Sequence, residues 1–456
     1  MVKKRFFTIA LIFSSIGCAT GCATAGAGSY DTLHSDFERA SPGARGGGGE
    51  GAKQGFGTVL DRTAFVQAVL CQNPTIESAR QGWRAALSRV RQAGAFDDPM
   101  VDLGLAPLSL ARARTRVGYE VALSQRLPWF GKRSSEAAAA SAEAEAAKSD
   151  FEATRRALML SALGLYDQYY VAVRSLEINA QHVELLRQLR SSAALQFESG
   201  RGSAQDPLQA EAELAHTEHE SAVLSAQRDV TVAQMNELLH RPPEHPLPPP
   251  PKELALLKEP QGLDVKRLES QAVTGRPEIA AARQRARAEQ ARADRAGREY
   301  FPDFTVSTSY NSMWDMPEHR WMVGLGFNLP LQSGRRGGTA DEAEAMRAQF
   351  ENDARRMEDA ARTQVFILMR QLDESKHVLS LFEERLLPVA RNQVDAARAS
   401  FISSRSPFSA VIEAEKNLRS AERDYQMARA ECDRRRAELG IALGRFASLD
   451  CKGGER

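Results

Sequence analysis

The chain carries one series of motifs twice, about two hundred residues apart. Asn73-Pro74-Thr75-Ile76 is echoed 203 residues later by Arg276-Pro277-Glu278-Ile279. The other repeated landmarks keep the same order at offsets of 202 to 204 residues: Asp98-Pro99 and Phe301-Pro302, Leu127-Pro128 and Leu329-Pro330, Gly131-Lys132-Arg133 and Gly334-Arg335-Arg336, Phe197 and Phe401, Ala210-Glu211 and Ala414-Glu415. Chance similarity of two helical stretches is the alternative, but the shared prolines and glycines lie at breaks. The repeated order indicates one structural unit used twice in tandem.

The first residues have the pattern of a secretory signal. A basic start, Met1 to Arg5, precedes an apolar run from Phe6 to Gly17 that is too short to span a bilayer as a helix. Cys18 and Cys22 each follow small residues, and either site resembles the lipobox at which bacterial lipoproteins are cut and acylated. We favour Cys22, because it leaves the longer hydrophobic segment before the cut. An ordinary secretory signal is the alternative.

Composition and breaks divide the rest of the chain. Glycine, alanine and serine after Cys22 predict a flexible tether. The predicted divisions are a signal peptide with lipobox at 1–22, a tether at 23–57, a first repeat at 58–240, a proline-rich joint at 241–260, a second repeat at 261–449 and a tail at 450–456. Beyond the tether the cysteines are Cys71, Cys432 and Cys451, so a disulfide framework is not expected and any single pair stays open.

Each repeat contains two stretches that alternate apolar and small or polar residues. In the first repeat these stretches lie at about 100–110 and 117–126, and in the second at about 303–312 and 320–330. A period of two with one apolar face predicts a β-hairpin in each repeat. The hairpin precedes a long segment of helical character in both cases.

The remaining segments predict long helices. Residues 134–197 contain no proline and predict one continuous helix, whereas the counterpart at 339–402 contains Pro388, which should kink it. Shorter helices are predicted at about 207–240 and 407–444. Opening helices at about 63–95 and 263–298 supply the length that these return helices lack. The predicted fold is mainly α with a small transmembrane β part, built from a duplicated helix–hairpin–long helix–helix unit.

Four such strands are typical of an outer-membrane barrel. Four strands cannot close a barrel, and open strand edges are not tolerated in lipid, so other copies of the chain must complete the sheet. Aromatic pairs flank the strands, Trp129 with Phe130 and Tyr300 with Phe301, as expected at a membrane interface. A soluble sandwich that uses the same strands is the alternative.

These features together resemble the TolC family of outer-membrane efflux proteins. The resemblance rests on the duplicated unit, Asn73-Pro74-x-Ile76, the Leu127 to Arg133 turn with its echo at 329–336, and Gly200-x-x-Ser203 before Ala210-Glu211-x-x-Leu214. It implies a homotrimer in the outer membrane of a Gram-negative bacterium, with a trimeric α-helical barrel continuous with a 12-stranded β-barrel. It also implies docking to a periplasmic adaptor and an inner-membrane pump. The 127–133 turn is similar to that of members serving heavy-metal efflux pumps.

The resemblance also assigns candidate site residues. The membrane-interface turns contain Pro128, Trp129, Phe130, Gly131, Pro330 and Gly334. The periplasmic tips that would contact the adaptor contain Gly200, Arg201, Ser203, Asp206, Ser404, Arg405, Ser406 and Pro407. The second tip departs from the family pattern, because Ser404 stands where a glycine matching Gly200 is expected. For Asp206 a helix-capping role is the alternative, and for Arg201 and Arg405 an ordinary solvated charge is.

Other functions fit the sequence less well. The balance of 60 basic and 59 acidic residues gives no field for nucleic acid. His216-x-x-His219 has no second position to complete a metal site, and no nucleophile elbow or phosphate loop is present, so neither an enzyme nor a cofactor is expected. A periplasmic helical scaffold or adaptor is the alternative, but it would lack the four alternating strands. The sequence predicts a passive exit duct for efflux or type I secretion, anchored by lipid and extending into the periplasm.

Overall fold

The structure is a computed structural model that describes residues 27–40, 56–107, 117–257, 264–403 and 405–444. These residues form two compact units. The sheet unit comprises the described residues of Met1–Pro42, Arg80–Asp150 and Ala280–Arg355. The helical unit comprises those of Gly43–Ala79, Phe151–Ile279 and Arg356–Arg456.

The elements follow the repeated order of the sequence. The first repeat contains α2 (Arg62–Gln72), α3 (Pro74–Ala93), β1 (Met100–Leu105), β2 (Tyr119–Leu127), α4 (Lys132–Glu198) and α5 (Gln205–Leu238). The second contains α6 (Val265–Gly275), α7 (Pro277–Arg298), β3 (Phe304–Asn311), β4 (Trp321–Phe327), α8 (Ser333–Leu381), a π-helical turn (Phe382–Leu386), α9 (Leu387–Ile402) and α10 (Phe408–Ala442). A further helix, α1 (Ala27–Ala40), precedes both. The mainly helical fold class with a small sheet is therefore confirmed.

Proline explains where the opening helices break. Pro74 and Pro277 begin α3 and α7, because a proline nitrogen has no hydrogen to donate to the preceding turn. Asn73 joins α2 to α3: its Oδ1 accepts from the Thr75 N–H at 2.9 Å, and its amide donates to the Leu238 carbonyl at 2.9 Å. Asp61 caps α2 in the same way, accepting from the Ala64 N–H.

In the sheet unit the described strands form one antiparallel sheet in the order β1-β2-β3-β4. The register places Val101, Leu123, Thr308 and Val323 in one row, so the alternating apolar residues of all four strands share a face. That face is open in the chain: Leu103 is 75% exposed and Val323 is 83% exposed. The opposite face carries small and polar side chains, including Asp102, Ser124, Ser307 and Gly324.

Strand lengths differ from the sequence prediction at two ends. β1 ends at Leu105, and residues 108–116 of the predicted hairpin lie outside the described part. β4 ends at Phe327 and not near 330, because Asn328 turns toward the start of β3. Its Oδ1 accepts from the Asp303 N–H at 2.6 Å, and its own N–H donates to the Asp303 carbonyl. Pro330, two residues on, has no N–H to extend the ladder.

A helix occupies part of the segment predicted as a flexible tether. In α1, Leu33 and Phe37 are buried, and the Phe37 ring meets Trp83 edge-on at 5.0 Å within the sheet unit. The Asp36 carboxylate accepts from the Lys148 ammonium at 2.6 Å. The segment predicted as a flexible tether at 23–57 thus contains a helix at 27–40, whose apolar pair at i and i+4 lies among glycines and alanines.

The helical unit has its core where the proline-rich joint meets α4. The phenol of Tyr166 donates to the Leu60 carbonyl at 2.9 Å, Tyr169 donates to Pro248, and Arg174 donates to Pro250. Leu254 of the joint is 1% exposed within this core. Prolines have no N–H groups to donate to the carbonyls of the joint, so donors from α4 satisfy those carbonyls and hold the joint in place.

Two further features of the described residues bear on the sequence expectations. Cys71 is disulfide-bonded, and Cys432 is a free, buried thiol. Across the described ranges, no helix combines the length and apolar character needed to cross a bilayer.

Candidate interface junction and helix tips

A buried carboxylate joins the two repeats where the strands meet the helices. Asp303, just before β3, accepts from the Lys132 ammonium at 2.8 Å, the Trp129 N–H at 2.9 Å and the Arg126 guanidinium at 2.7 Å. Lys132 also donates to the Phe301 carbonyl at 3.0 Å. The first repeat supplies the donors and the second repeat supplies the acceptor. Asp303 therefore links the parts of the sheet unit that come from the two repeats.

The electrostatics of this cluster favour the ionised carboxylate. Burial by itself would raise the pKa of Asp303, but the hydrogen bonds from Lys132, Trp129 and Arg126 outweigh burial and lower it to about 2. The side chains of Asp303 and Lys132 are about one-tenth exposed. Removal of the Asp303 charge would leave the buried Lys132 ammonium without its charge partner.

Aromatic rings gather around the same junction. The Trp129 ring stacks on Phe301 at 5.2 Å and on Phe304 at 5.6 Å, and meets Phe130 edge-on at 6.0 Å. Phe130 is 83% exposed and Tyr300 is 45% exposed. The structure thus brings the predicted Trp129 and Phe130 together with aromatics of the other repeat. Exposed rings beside an apolar sheet face are typical of a membrane-interface belt.

The two predicted turn glycines differ. Gly131 has φ +88°, and a Cβ there would lie 2.6 Å from the Arg298 Nε. Gly334 lies in the first turn of α8, and a Cβ there would meet nothing within 4 Å. Pro128 and Pro330 are half-buried in their turns. The two glycines match in sequence but differ in backbone conformation, because only Gly131 adopts the left-handed conformation.

Gly131→Ala is expected to lower stability by about 1 to 3 kcal/mol, because alanine at positive φ is strained and its Cβ collides with Arg298. Gly334→Ala is the matched control and should be neutral or stabilising by up to about 1 kcal/mol, since glycine disfavours a helix. Thermal unfolding in detergent compares the two variants. Equal losses would contradict the assigned difference between the turns.

The second residue after each turn glycine is an arginine that donates to a carbonyl at the end of the opening helix of its repeat. Sequence reasoning missed this role. Arg133 donates to the Gly94 carbonyl at 2.7 Å at the end of α3, and its guanidinium lies 3.4 Å above the Phe96 ring. Arg336 donates to the Glu299 carbonyl at 2.8 Å after the end of α7. The repeated Gly-Lys-Arg and Gly-Arg-Arg motifs carried the signal, since cations favour helix C-termini.

The first tip joins α4 to α5 in the helical unit. Gly200 takes φ +71°, and the Arg201 N–H donates back to the Gln196 carbonyl at 2.9 Å. The Ser203 Oγ accepts from the Gln205 N–H at 3.2 Å, while the Asp206 carboxylate accepts from the Ser203 N–H at 3.1 Å. This reciprocal pair resembles a capping box, but the Ser203 Oγ accepts from the second residue on and not from the third. Ser203 and Asp206 thus shape the turn, and the Arg201 side chain is exposed.

The second tip joins α9 to α10. The Arg405 N–H donates to the Ser400 carbonyl at 2.8 Å, its side chain is exposed, and Pro407 precedes the helix start. Ser406 Oγ is buried without a hydrogen-bond partner in the described residues. Ser404 lies outside those residues. The adjacent Phe408 is 1% exposed and packs on Phe401 at 5.2 Å.

Phe408 also joins the two tips. It shares a core cluster with Ala193 of α4 and Ala210 of α5. The first and second tips therefore lie side by side. Nothing in the sequence of either tip predicts this contact.

Behind the tips, α5 and α10 are joined by a charged network that sequence reasoning missed. Arg419 is 6% exposed and donates to Glu213 at 3.0 Å and to the Thr217 hydroxyl. Arg423 pairs with Glu220 on the next turn. Glu213 and Glu220 are seven residues apart on α5, and Arg419 and Arg423 are four apart on α10. This spacing is only a weak sequence signal that the two helices pair. By contrast, His216 and His219 are exposed, and the described residues hold no group of three or more His, Cys, Asp or Glu placed to bind a metal ion.

The fold and the junction define a protein with long paired helices and a sheet that presents an open apolar face, and comparison with known proteins supplies its family. The chain belongs to the outer membrane efflux protein family, whose family model matches residues 65–240 and 268–445. The two matched segments lie one in each repeat. No similar sequence was found among curated proteins.

Solved structures share the fold. The outer-membrane channel OprN is 21% identical, with a TM-score of 0.70 over 86% of this chain and 93% of that chain. The outer membrane protein VceC of Vibrio cholerae is 18% identical, with a TM-score of 0.71 over 84% and 96%. The MtrE outer membrane channel of Neisseria gonorrhoeae, in its open state, is 17% identical, with a TM-score of 0.72 over 86% and 90%.

Proposed function

We propose that this chain is one protomer of a trimeric outer-membrane exit duct that serves an efflux or secretion system. The observation that carries the proposal is the sheet: its apolar face is exposed along all four strands, and its polar face is lined by small side chains. In water such a face would be an aggregation hazard. Against lipid it is the outer wall of a barrel.

The edges of the sheet call for further copies. Among the described residues β1 pairs only with β2, and β4 only with β3. Unpaired strand edges are too costly in the hydrocarbon core. Three copies of four strands give twelve, with each β1 paired to the β4 of a neighbour. Apolar side chains left exposed on the helices, such as Val223, Val230 and Phe366, also support packing against other copies.

The remaining assignments complete the proposal. Cys22, or Cys18, is acylated and anchors the N-terminus in the outer membrane. The tips at Gly200 to Asp206 and at Ser404 to Pro407 contact a periplasmic adaptor, which connects the duct to an inner-membrane pump. Transport is passive in the duct itself. Extraction of Cys22→Ser and Cys18→Ser variants, followed by mass measurement of the N-terminal peptide, tests which cysteine carries the lipid.

Leu103→Arg is expected to abolish the detergent-extracted trimer, because a charge on the lipid face of a strand costs about 2 to 4 kcal/mol at mid-bilayer and is repeated in each copy. Asp102→Arg is the matched control, since the neighbouring residue lies on the opposite face of the same strand. The measurement is the crosslinked, unheated mass of the outer-membrane fraction before and after detergent. We expect a trimer for wild type and Asp102→Arg only.

Two results would overturn the proposal. Wild-type protein released without detergent as a monomer or dimer would favour the periplasmic helical scaffold. Equal behaviour of Leu103→Arg and Asp102→Arg would mean that the two sheet faces do not face different solvents.

A further inference from the structure

A cleft of about 430 Å³ lies in the helical unit where α4, α9 and α10 meet behind the second tip. Its walls carry charged groups from two of the three helices and a histidine from the third. Arg391, Asp395 and Arg398 come from α9, Glu415 and Glu422 from α10, and His182 from α4. His182 is 6% exposed, so its ring is held among these groups and away from bulk solvent.

The imidazole of His182 is flanked by two carboxylates of α10. Its Nδ1 lies 3.8 Å from the Glu415 Oε2, and its Nε2 lies 3.3 Å from the Glu422 Oε2. Glu415 and Glu422 are seven residues apart and share one face of α10. One ring of α4 therefore bridges two turns of α10.

This arrangement is complete only when the ring carries both protons. A neutral imidazole has one N–H, so one ring nitrogen would present a lone pair to a carboxylate oxygen. The Glu415 Oε2 is buried and has no hydrogen-bond partner in the described residues, while the Oε1 of the same carboxylate accepts from the Arg398 Nε at 2.9 Å. The Arg391 Nη2 lies 3.9 Å from the Glu422 Oε1, which is not the oxygen nearest the ring.

The adjacent face of α10 meets α5 through a second set of charged groups. There Arg419 and Arg423 pair with Glu213 and Glu220 of α5, and none of these four side chains is an imidazole. Imidazole in general changes charge near pH 6.5. His182 is the imidazole among the groups of this cleft, and its ring holds one proton or two.

We propose that protonation of His182 controls how firmly the first half of α10 is held against α4, and hence how readily the tips open. The imidazolium bridges Glu415 and Glu422. In the neutral ring one contact is lost, and α10 is held by its contacts with α5, with α9 and through Phe408. The part concerning opening rests on the proposed duct, whereas the part concerning α10 does not.

Hydrogen–deuterium exchange of peptides from 408–423 tests the contact directly in the full-length, solubilised protein. After correction for intrinsic exchange, wild type should exchange about fivefold faster at pH 7.5 than at pH 5.5, the effect of losing one hydrogen bond. His182→Gln should exchange alike at both pH values. His216→Gln, which alters an exposed histidine of α5, is the control and should keep the difference.

A second variant guards against misfolding of the first. Glu422→Gln leaves Glu415 as the one carboxylate facing the ring, so a neutral imidazole can satisfy it and the pH difference should shrink. A pH difference retained in His182→Gln, or lost in His216→Gln, would overturn the proposal.

Conductance in planar bilayers separates this proposal from the duct itself. We expect the open fraction of wild type to rise from pH 5.5 to 7.5 and that of His182→Gln to stay constant. Absence of conductance at every pH would reject the proposed function, and the exchange result would stand. Conductance that is independent of pH in wild type would reject control of opening by His182.

Discussion

Replacement of Asp303 by asparagine is expected to lower the free energy of unfolding by about 3 to 5 kcal/mol. The change removes the carboxylate that accepts from Lys132 and Arg126, and it leaves the buried Lys132 ammonium without its charge partner. Since the donors lie in the first repeat and Asp303 in the second, the sheet unit should lose order at the junction first. Urea unfolding in detergent, followed by tryptophan fluorescence at Trp129, measures the loss.

Asp98→Asn is the control for this substitution. Asp98 lies in the corresponding segment of the first repeat but is exposed, so a change within about 0.5 kcal/mol is expected. The low pKa of Asp303 also fixes a pH dependence: the stabilisation is present above the unfolded pKa near 3.8 and is lost as pH falls through about 2. Equal losses in the two variants, or an unchanged acid limb in Asp303→Asn, would contradict the assigned role.

Replacement of Asp167 by asparagine is expected to act in the opposite direction and to stabilise the helical unit at pH 8. Asp167 lies on α4 in the core, 4% exposed, and its Oδ1 has no hydrogen-bond partner among the described residues. Burial raises the pKa of its carboxyl from 3.8 to about 7, although Arg62 and Arg434 lower it in part. Arg62 is already engaged, since it pairs with the buried Asp433.

The sign of this effect follows from linkage. A raised folded pKa gives stability that is complete below 3.8 and is lost as pH rises through about 7. One pKa unit corresponds to about 1.4 kcal/mol, so ionisation of Asp167 costs at most about 4 kcal/mol at pH 8. Melting temperatures of wild type and Asp167→Asn should therefore converge near pH 4 and separate toward pH 8. A constant difference across that range would show that Asp167 is not the titrating group.

Local chemistry made most of the fold predictable. Prolines at 74 and 277 mark helix starts, and the proline-free run that becomes α4 extends from Lys132 to Glu198. The alternation within each hairpin set the shared apolar face of the sheet, because side-chain direction has a period of two. Helix α1 escaped prediction, since its burial depends on Trp83 and Lys148, which are far away in sequence.

The sites were less predictable for the same reason. Gly131, Ser203 and Asp206 make their contacts within their own turns, so sequence spacing can indicate a turn at these residues. Asp303 and His182 act through partners 171 and 240 residues away. A single sequence carries no signal for such pairs, because nothing local distinguishes a buried acid or imidazole from a solvated one. The similarity of the two tips also concealed the contact of Phe408 with the first tip.

The π-helical turn at Phe382–Leu386 lies in the second repeat, which is one residue longer than the first over this part of the chain. The two copies of the motif series are 203 residues apart at Gly131 and Gly334 but 204 apart at Phe197 and Phe401, so the second half holds one additional residue between these points. In a regular α-helix one inserted residue would rotate every later side chain by about 100°. A wide turn absorbs it and restores the facing of α9. The one-residue difference in length between the two repeats is thus accommodated by a bulge in the second long helix.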